Sequence, residues 1–137
     1  MRFQAVLLVA IASLTACSAT DNSDPGIAFA AGTYVLTSVN GQALPFTEQS
    51  GTPLVKLTGG QFVARKDGTF TQTSLRTTTT SGTGTTPSSK DRNGTYSVGG
   101  QVISFLFLDN AESGLGSHTP TTLSLALGQV TYEYTRQ

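Results

Sequence analysis

The sequence predicts an all-β fold, a small up-and-down antiparallel β-barrel of about eight strands. Three observations support this: Thr and Gly are abundant, short runs alternate polar and apolar residues, and two-residue loops separate many of those runs. Thr is β-branched and suits a pleated, half-exposed surface, while Gly supplies the positive φ angles of tight turns. The chain has 137 residues, a length that predicts one folded domain.

Eight β-type runs follow Gly32, and most are joined to their sequence neighbours by tight turns. The runs are 33–39, 53–58, 61–66, 69–77, 95–98, 101–108, 121–127 and 130–136. The loops typical of hairpins are Gly59-Gly60, Asp67-Gly68, Gly99-Gly100 and Gly128-Gln129. A sequential antiparallel chain fits a barrel, which leaves no exposed sheet edge, but a two-sheet sandwich fits the same pattern.

Two segments stand apart from simple alternation. The run 102–108 is apolar on both faces, so it is either covered on both sides or presents an apolar outer patch. Segment 77–89 contains only Thr, Ser, Gly and Pro, none of which anchors a core, and we predict a mobile loop between the fourth and fifth strands. It would serve as a ligand lid, an adhesion surface or a tolerated insertion at a hairpin tip.

Residues 1–16 have the pattern of a secretory signal peptide. Arg2 supplies a positive charge, and an apolar run from Ala5 to Leu14 follows. That run is shorter than the roughly 20 residues that a membrane-spanning helix needs. We therefore predict an export signal with a signal helix.

The end of the signal, Leu14-Thr15-Ala16-Cys17, resembles the lipobox of bacterial lipoproteins. The resemblance implies a diacylglyceryl group on the Cys17 thiol, cleavage between Ala16 and Cys17, and acylation of the new amine by a fatty acid such as palmitate. Cys17 is the only Cys of the chain, so it has no intramolecular disulfide partner. In the alternative, an ordinary signal peptide is cleaved nearby and Cys17 is incidental.

The lipoprotein interpretation predicts a place in the cell envelope. Ser18 follows the Cys where Asp is associated with inner-membrane retention, which favours the outer membrane, on its periplasmic face or at the cell surface. Residues 17–31 would form a lipid-anchored flexible tether, and 32–137 the folded domain. Within the tether, Ile27 and Phe29 either form a short helical turn, dock on the barrel or remain frayed.

From Gly32 to Arg136 the chain resembles the lipocalin-like domains of small bacterial lipoproteins. The matching segments are Gly32-Thr33-Tyr34-Val35-Leu36, Ser38–Pro45, Asp67-Gly68-Thr69-Phe70, Asn93–Val98 and Tyr132–Arg136. Lipocalins carry a Trp on the first strand packed by an Arg from the last, and Tyr34 and Arg136 occupy those positions. The resemblance implies that Arg136 stacks on Tyr34 and closes one end of the barrel; the alternative is a solvated C-terminal charge.

Composition predicts neither an enzyme nor a nucleic-acid-binding protein. The formal net charge is +0, which gives no electrostatic footprint for nucleic acid. The one His, His118, has only the polar neighbours that any loop contains and lacks a recognisable nucleophile and acid. One His and a lipidated Cys do not make a zinc site, so we expect neither a metal nor a cofactor.

Two functions remain for the folded domain. It is a non-catalytic structural or interaction domain of an envelope lipoprotein, which meets an envelope protein, or it binds a small apolar or amphipathic ligand in the barrel. Residues proposed to contact such a ligand are Phe62, Phe70, Tyr96, Phe105 and Tyr132. A cavity of a few hundred Å³ would support ligand binding, and a packed interior would support the structural role.

Overall fold

A computed structural model describes residues 24–137. The predicted signal peptide, its cleavage site and Cys17 lie outside the described residues. One short helix, α1 (Pro25–Ala30), precedes ten strands. The strands are β1 (Gly32–Val39), β2 (Gln42–Ala43), β3 (Phe46–Gln49), β4 (Leu54–Ala64), β5 (Thr69–Thr80), β6 (Gly84–Gly99), β7 (Val102–Phe107), β8 (Ser113–His118), β9 (Thr122–Leu127) and β10 (Val130–Arg136).

The strands form a closed antiparallel barrel. From β4 to β10 each strand pairs with its sequence neighbour, β10 pairs with β1, and β1 pairs with β4 to complete the ring of eight. The short strands β2 and β3 add to β1 and β4 outside this ring. The predicted all-β, up-and-down barrel of eight strands is confirmed, and the sandwich is excluded because one continuous sheet closes on itself.

The predicted turn at Gly59-Gly60 is wrong, because β4 runs straight through it. The register against β5 shifts between Leu57 and Gly59, which marks an irregularity in the strand. A Cβ on Gly60 would lie 2.8 Å from the Thr73 carbonyl oxygen, so only glycine allows the two strands this approach. Gly-Gly serves bulges and close strand contacts as well as turns, and the sequence pattern does not distinguish them.

Strand β8 is absent from the predicted set. Its Gly114 and Gly116 lower β propensity, which is why the segment resembles a loop in sequence. In the barrel, a Cβ at Gly114 would collide with Ala126, and one at Gly116 would collide with the Ser124 carbonyl oxygen. Tertiary packing selects glycine at both positions. The predicted count of eight therefore holds because one missed strand offsets one strand divided in two.

The predicted mobile loop over 77–89 is also wrong. Strand β5 continues to Thr80, β6 begins at Gly84, and the two pair without a register shift to the last rung, Thr80 with Gly84. Branched Thr side chains favour the extended backbone even where they bury nothing. Pairing of β6 with β7 begins only at Gly94, so the first half of β6 is an edge that extends beyond the barrel.

Aromatic rings fill the middle of the barrel. Phe62 and Phe70 stack with centroids 4.7 Å apart, and Phe105 meets both edge-on at 5.4 and 5.7 Å. Phe107 and Tyr134 extend the cluster at 5.0 Å from Phe70 and 5.9 Å from Phe62. These spacings lie in the preferred range for aromatic pairs. The interior is therefore packed with side chains in the middle of the barrel, where all eight strands of the ring surround it.

Helix α1 covers the end of the barrel at which β1 begins and β10 ends. The Asp24 side chain caps the helix by accepting from the Gly26 N–H at 2.9 Å, and Pro25 occupies its first turn. Ile27 packs against the core, and Ala30 is buried. Of the three alternatives for Ile27 and Phe29, the structure shows two together, a helical turn that is docked on the barrel. We call this end of the barrel the closed end.

The outer face of β7 and β8 carries exposed apolar side chains. Val102, Leu106 and Leu115 are 52%, 43% and 61% exposed, whereas Ile103, Phe105 and Phe107 point inward and are buried. The run 102–108 thus follows the second of its two predicted outcomes, an apolar outer patch. Within residues 24–137, no helix is long and apolar enough to cross a membrane.

Candidate functional site at the open end of the barrel

The end of the barrel opposite α1 opens into a cavity of about 450 Å³. Its wall carries polar side chains from three strands, which are Ser74 and Arg76 of β5, Ser88, Lys90 and Arg92 of β6, and Tyr132 of β10. Gln72, Ser89 and Leu127 complete the lining. We call this surface the mouth.

Strand alternation turns these side chains inward. Phe70 and Gln72 of β5 are buried, so the next positions on the same face, Ser74 and Arg76, also point inward. The same rule applied from buried Tyr96 orients alternate residues of β6. The cross-strand pairs in the mouth are Gln72 with Arg92, Ser74 with Lys90 and Arg76 with Ser88.

A carboxylate of β3 holds Arg76. Its Nε donates to Glu48 Oε2 at 2.6 Å and its Nη2 donates to Glu48 Oε1 at 2.9 Å, a bidentate arrangement. The hydrogen bond to Glu48 raises the pKa of Arg76 above its ordinary value. The short strand β3, which adds to β4 outside the ring, thus positions a charged group of the mouth.

Arg92 is held by the loop that joins β7 to β8. Its guanidinium donates to both Asp109 oxygens at 2.9 and 3.0 Å, to Asn110 Oδ1 at 2.8 Å and to Glu112 Oε2 at 2.9 Å. The guanidinium carbon lies 3.8 Å from the centroid of the Phe107 ring. The Arg92 hydrogen bond lowers the pKa of Asp109. The arginine is therefore fixed by three polar partners and one ring face.

Tyr132 and Lys90 are the less constrained members of the mouth. Burial raises the pKa of Tyr132; the charge of Glu48 raises it further, and the charge of Arg76 lowers it. Lys90 is exposed and forms no ion pair with the residues that the structure describes. Below them, Gln72 Nε2 donates to the Tyr134 hydroxyl at 2.8 Å and separates the mouth from the aromatic cluster.

The residues predicted to contact a ligand divide between core and mouth. Phe62, Phe70, Tyr96 and Phe105 are at most 5% exposed and none lines the mouth. Burial raises the pKa of Tyr96 to about 12, and its hydroxyl donates to the Arg65 carbonyl oxygen at 2.6 Å near the closed end. Only Tyr132 of the five lies in the mouth.

The two residues predicted to close the barrel are adjacent. Tyr34 and Arg136 are cross-strand partners, and the Arg136 guanidinium carbon lies 5.8 Å from the Tyr34 ring centroid. Arg136 also donates to the carbonyl oxygens of Phe29 at 3.2 Å and Ala31 at 2.6 Å. The contribution of this contact to stability stays a prediction.

His118 lies at the closed end, away from the mouth. It is 3% exposed, its Nε2 is 3.1 Å from the Gly100 carbonyl oxygen, and the Phe29 ring packs on it with centroids 5.4 Å apart. Over residues 24–137, no three His, Cys, Asp or Glu side chains are grouped in a way that would hold a metal ion.

Sequence reasoning missed the cations of the mouth. Arg76 lies at the end of a predicted strand, and Lys90 and Arg92 immediately follow the segment interpreted as a loop. Continuing the two-residue alternation through 72–76 and 88–92 would have placed all three on the interior face. The Thr-rich composition between them concealed that continuity.

Fold and mouth together define a class, a small antiparallel β-barrel that is packed and covered at one end and open at the other. No protein-family model matches the chain, and no curated protein matches it in sequence. Among solved structures, it is similar to the crystal structure at 2.60 Å resolution of an uncharacterized protein from Bacteroides eggerthii DSM 20697. The two are 12% identical with a TM-score of 0.46, over 78% of this chain and 98% of the other.

Proposed function

We propose that this protein is a lipid-anchored, non-catalytic protein of the cell envelope that acts by binding at the open end of its barrel. The observation that carries the proposal is the contrast between the two ends. One is covered by α1, and the other opens into a cavity of about 450 Å³ lined by Arg76, Lys90, Arg92 and Tyr132. A partner or ligand can bind at the mouth without any space in the packed interior of the barrel.

The position of α1 supports an orientation for the anchored protein. Cys17, the proposed lipidation site, precedes the helix cap Asp24 by a few residues, a distance of at most about 25 Å for an extended chain. Because α1 covers the closed end, an anchor at Cys17 would keep that end near the bilayer. The mouth would then face away from the membrane, toward soluble ligands and envelope proteins.

A non-catalytic role is supported by the contents of the mouth. Its hydroxyl groups are those of Ser74, Ser88, Ser89 and Tyr132, and nucleophilic catalysis by such groups needs an adjacent base. The one His of the chain lies at the closed end. The guanidinium groups remain protonated at neutral pH and do not act as bases.

A second candidate, the binding of a small amphipathic ligand, is favoured by the mixed wall of the mouth. Leu127 and the Tyr132 ring give it an apolar side next to the cations. A wholly apolar ligand within the barrel is less well supported, because Phe62, Phe70 and Phe105 fill that space. We therefore place the ligand in the mouth.

Anchoring is tested with Cys17→Ser. Loss of the thiol should leave the precursor unlipidated and remove the mature protein from the membrane fraction, as measured by fractionation and intact mass. Ser18→Ala is the matched control and should be processed and anchored normally. Normal anchoring of the Cys17→Ser variant would overturn the lipoprotein part of the proposal.

Orientation is tested with a fluorophore at either end of the anchored protein. Asp67→Cys places it in the turn at the closed end, and Ser88→Cys places it at the mouth; both positions are exposed. In vesicles that carry a quencher on lipid headgroups, the label at position 67 should be quenched more strongly. Equal quenching, or stronger quenching at position 88, would contradict the proposed orientation.

Binding at the mouth is tested by native mass spectrometry of the full-length protein purified from its own cells. Ser88→Trp should fill the mouth, whereas Thr85→Trp adds the same ring to the opposite face of β6. A small molecule that accompanies the wild type and Thr85→Trp but not Ser88→Trp supports the proposal. A clean apo mass for all three proteins contradicts it.

A further inference from the structure

We propose that the ligand of the mouth is a small organic anion, a carboxylate or phosphate carried on a short apolar body. This inference rests on the proposed binding role of the mouth and specifies its chemistry. Two observations support it: the wall of the cavity carries mainly hydrogen-bond donors, and carboxylates fix the orientation of Arg76 and Arg92.

The wall of the mouth offers donors and no carboxylate. Arg76, Lys90 and Arg92 present N–H groups, and Ser74, Ser88, Ser89 and Tyr132 add hydroxyls. No Asp or Glu belongs to the lining. Asp91 follows Lys90 in sequence, but strand alternation directs it to the outer face of β6. A ligand that enters the mouth therefore meets groups that are best satisfied by an acceptor.

Carboxylates fix the two arginines and leave part of each guanidinium unused. Glu48 takes Nε and Nη2 of Arg76, and Asp109 takes the same two nitrogens of Arg92. Nη1 of either arginine forms no hydrogen bond with residues 24–137. Each arginine is thus held in one orientation with a free terminal nitrogen, so little conformational entropy is lost when an anion binds.

Lys90 is the cation of the mouth that no carboxylate contacts. Glu48 pairs with Arg76, and Asp109 and Glu112 pair with Arg92, whereas Lys90 has no carboxylate partner among the described residues. Its register partner is Ser74, whose hydroxyl lies on the same interior face. An anion beside Lys90 would gain a charge-assisted hydrogen bond, which is stronger than a neutral one.

The rest of the wall limits the size and polarity of the ligand. Leu127 and the Tyr132 ring give an apolar surface next to the cations. A cavity of about 450 Å³ lies at the lower end of the range for small-molecule sites. The fit is to a molecule with one anionic head and a short aliphatic or aromatic part.

The test uses calorimetric titration of the full-length protein in detergent micelles with octanoate, octyl phosphate, inorganic phosphate and neutral 1-octanol. Octanoate or octyl phosphate should bind at least tenfold more tightly than octanol, and the stronger of the two identifies the headgroup. Lys90→Gln should weaken that binding at least tenfold. Lys66→Gln makes the same charge change in the exposed turn at the closed end and should leave it unchanged.

The failures of the two proposals are distinguishable. Octanol as tight as octanoate, or equal binding by Lys90→Gln and Lys66→Gln, would overturn the anion assignment. If Ser88→Trp still abolished binding in that case, the mouth would remain the binding site. Binding that Ser88→Trp leaves intact would place the ligand elsewhere and contradict both proposals. Inorganic phosphate binding as well as octyl phosphate would remove the apolar part of the inference.

Discussion

At the scale of single residues, the floor of the mouth depends on one buried polar pair. Gln72 is 4% exposed on β5, and its amide donates to the Tyr134 hydroxyl of β10 across the barrel interior. Burial raises the pKa of Tyr134, so its phenol stays neutral. Buried polar groups are tolerated where each one finds a partner, and this pair connects the packed core to the polar wall above it.

Removing one member of this pair should cost more than removing both. Tyr134→Phe leaves the Gln72 amide without its partner, and we expect a loss of about 1–3 kcal/mol in the free energy of unfolding. Adding Gln72→Leu should recover part of that loss, since neither side then buries an unpaired polar group. Urea denaturation of both single variants and the double variant measures the coupling, and simple additivity would contradict the argument.

At the scale of single elements, glycine positions decide how closely strands approach the aromatic core. Gly94 lies on the interior face of β6, where a Cβ would collide with the Phe70 ring and the Leu106 carbonyl oxygen. Gly99 lies at the end of the same strand, and a Cβ added there would meet no other atom within 4 Å. The two residues therefore form a matched pair with opposite surroundings.

Substitution by Ala should destabilise the protein at Gly94 and have little effect at Gly99. Gly94→Ala forces Phe70 from its stacked position, and we expect a loss of about 1–3 kcal/mol, the usual cost of overpacking a core. Gly99→Ala should change the free energy of unfolding by less than about 0.5 kcal/mol. Thermal and urea denaturation measure both, and equal effects would mean that the strand relaxes at Gly94.

Helix α1 is tied to the barrel through the last strand. Arg136 reaches three carbonyl oxygens, those of Phe29, Ala31 and Pro120, and lies beside the Tyr34 ring. The Tyr34 hydroxyl in turn donates to the Ala30 carbonyl oxygen at 2.7 Å. These contacts satisfy backbone acceptors at and after the end of the helix, which would otherwise lack partners.

Arg136→Ala should release this helix before it unfolds the barrel. We expect a lower melting temperature and faster amide hydrogen exchange over 25–31, while exchange in β5 and β6 is little changed. Arg65→Ala, which removes an exposed arginine of the adjacent turn, is the control. An unchanged melting temperature and unchanged exchange in α1 would show that Arg136 is a solvated charge.

At the scale of the whole molecule, the pKa values of all four tyrosines are shifted in the same direction. The pKa values of Tyr34, Tyr96, Tyr132 and Tyr134 are raised, and burial is the largest cause in each. The folded barrel therefore favours the neutral phenol more than the unfolded chain does. A raised pKa gives stability that is fully present below the unfolded value, near 10.0, and that is lost as the pH rises toward the folded values.

Stability should consequently fall at alkaline pH. As far as the tyrosines contribute, we expect a constant free energy of unfolding up to about pH 9.5 and a decline above pH 10, through the region of the Tyr96 pKa of about 12. Tyr96→Phe should make the decline shallower. Urea denaturation at several pH values, with phenolate absorbance as the probe, tests this. Titration of the folded protein at the ordinary tyrosine pKa would contradict it.

Features of this fold that depend on contacts between neighbouring residues could be predicted from the sequence, whereas features that depend on contacts between distant segments could not. Local chemistry was enough for the all-β class, for turns such as Asp67-Gly68, and for the alternation of polar and apolar residues in runs such as 130–136, because these depend on nearest neighbours. It did not reveal β8, whose glycines are explained only by the residues packed against them.

The candidate site could not be predicted from the sequence, because tertiary contacts form it. Closure by the pairing of β1 with β4 and β10 decides which face of each strand is interior, and that choice gathers Arg76, Lys90 and Arg92 at one opening. The carboxylates that hold the arginines come from β3 and from the loop after β7. Local sequence determines which residues alternate along one strand, but the opposing side chains come from distant segments, and only closure of the barrel brings them together.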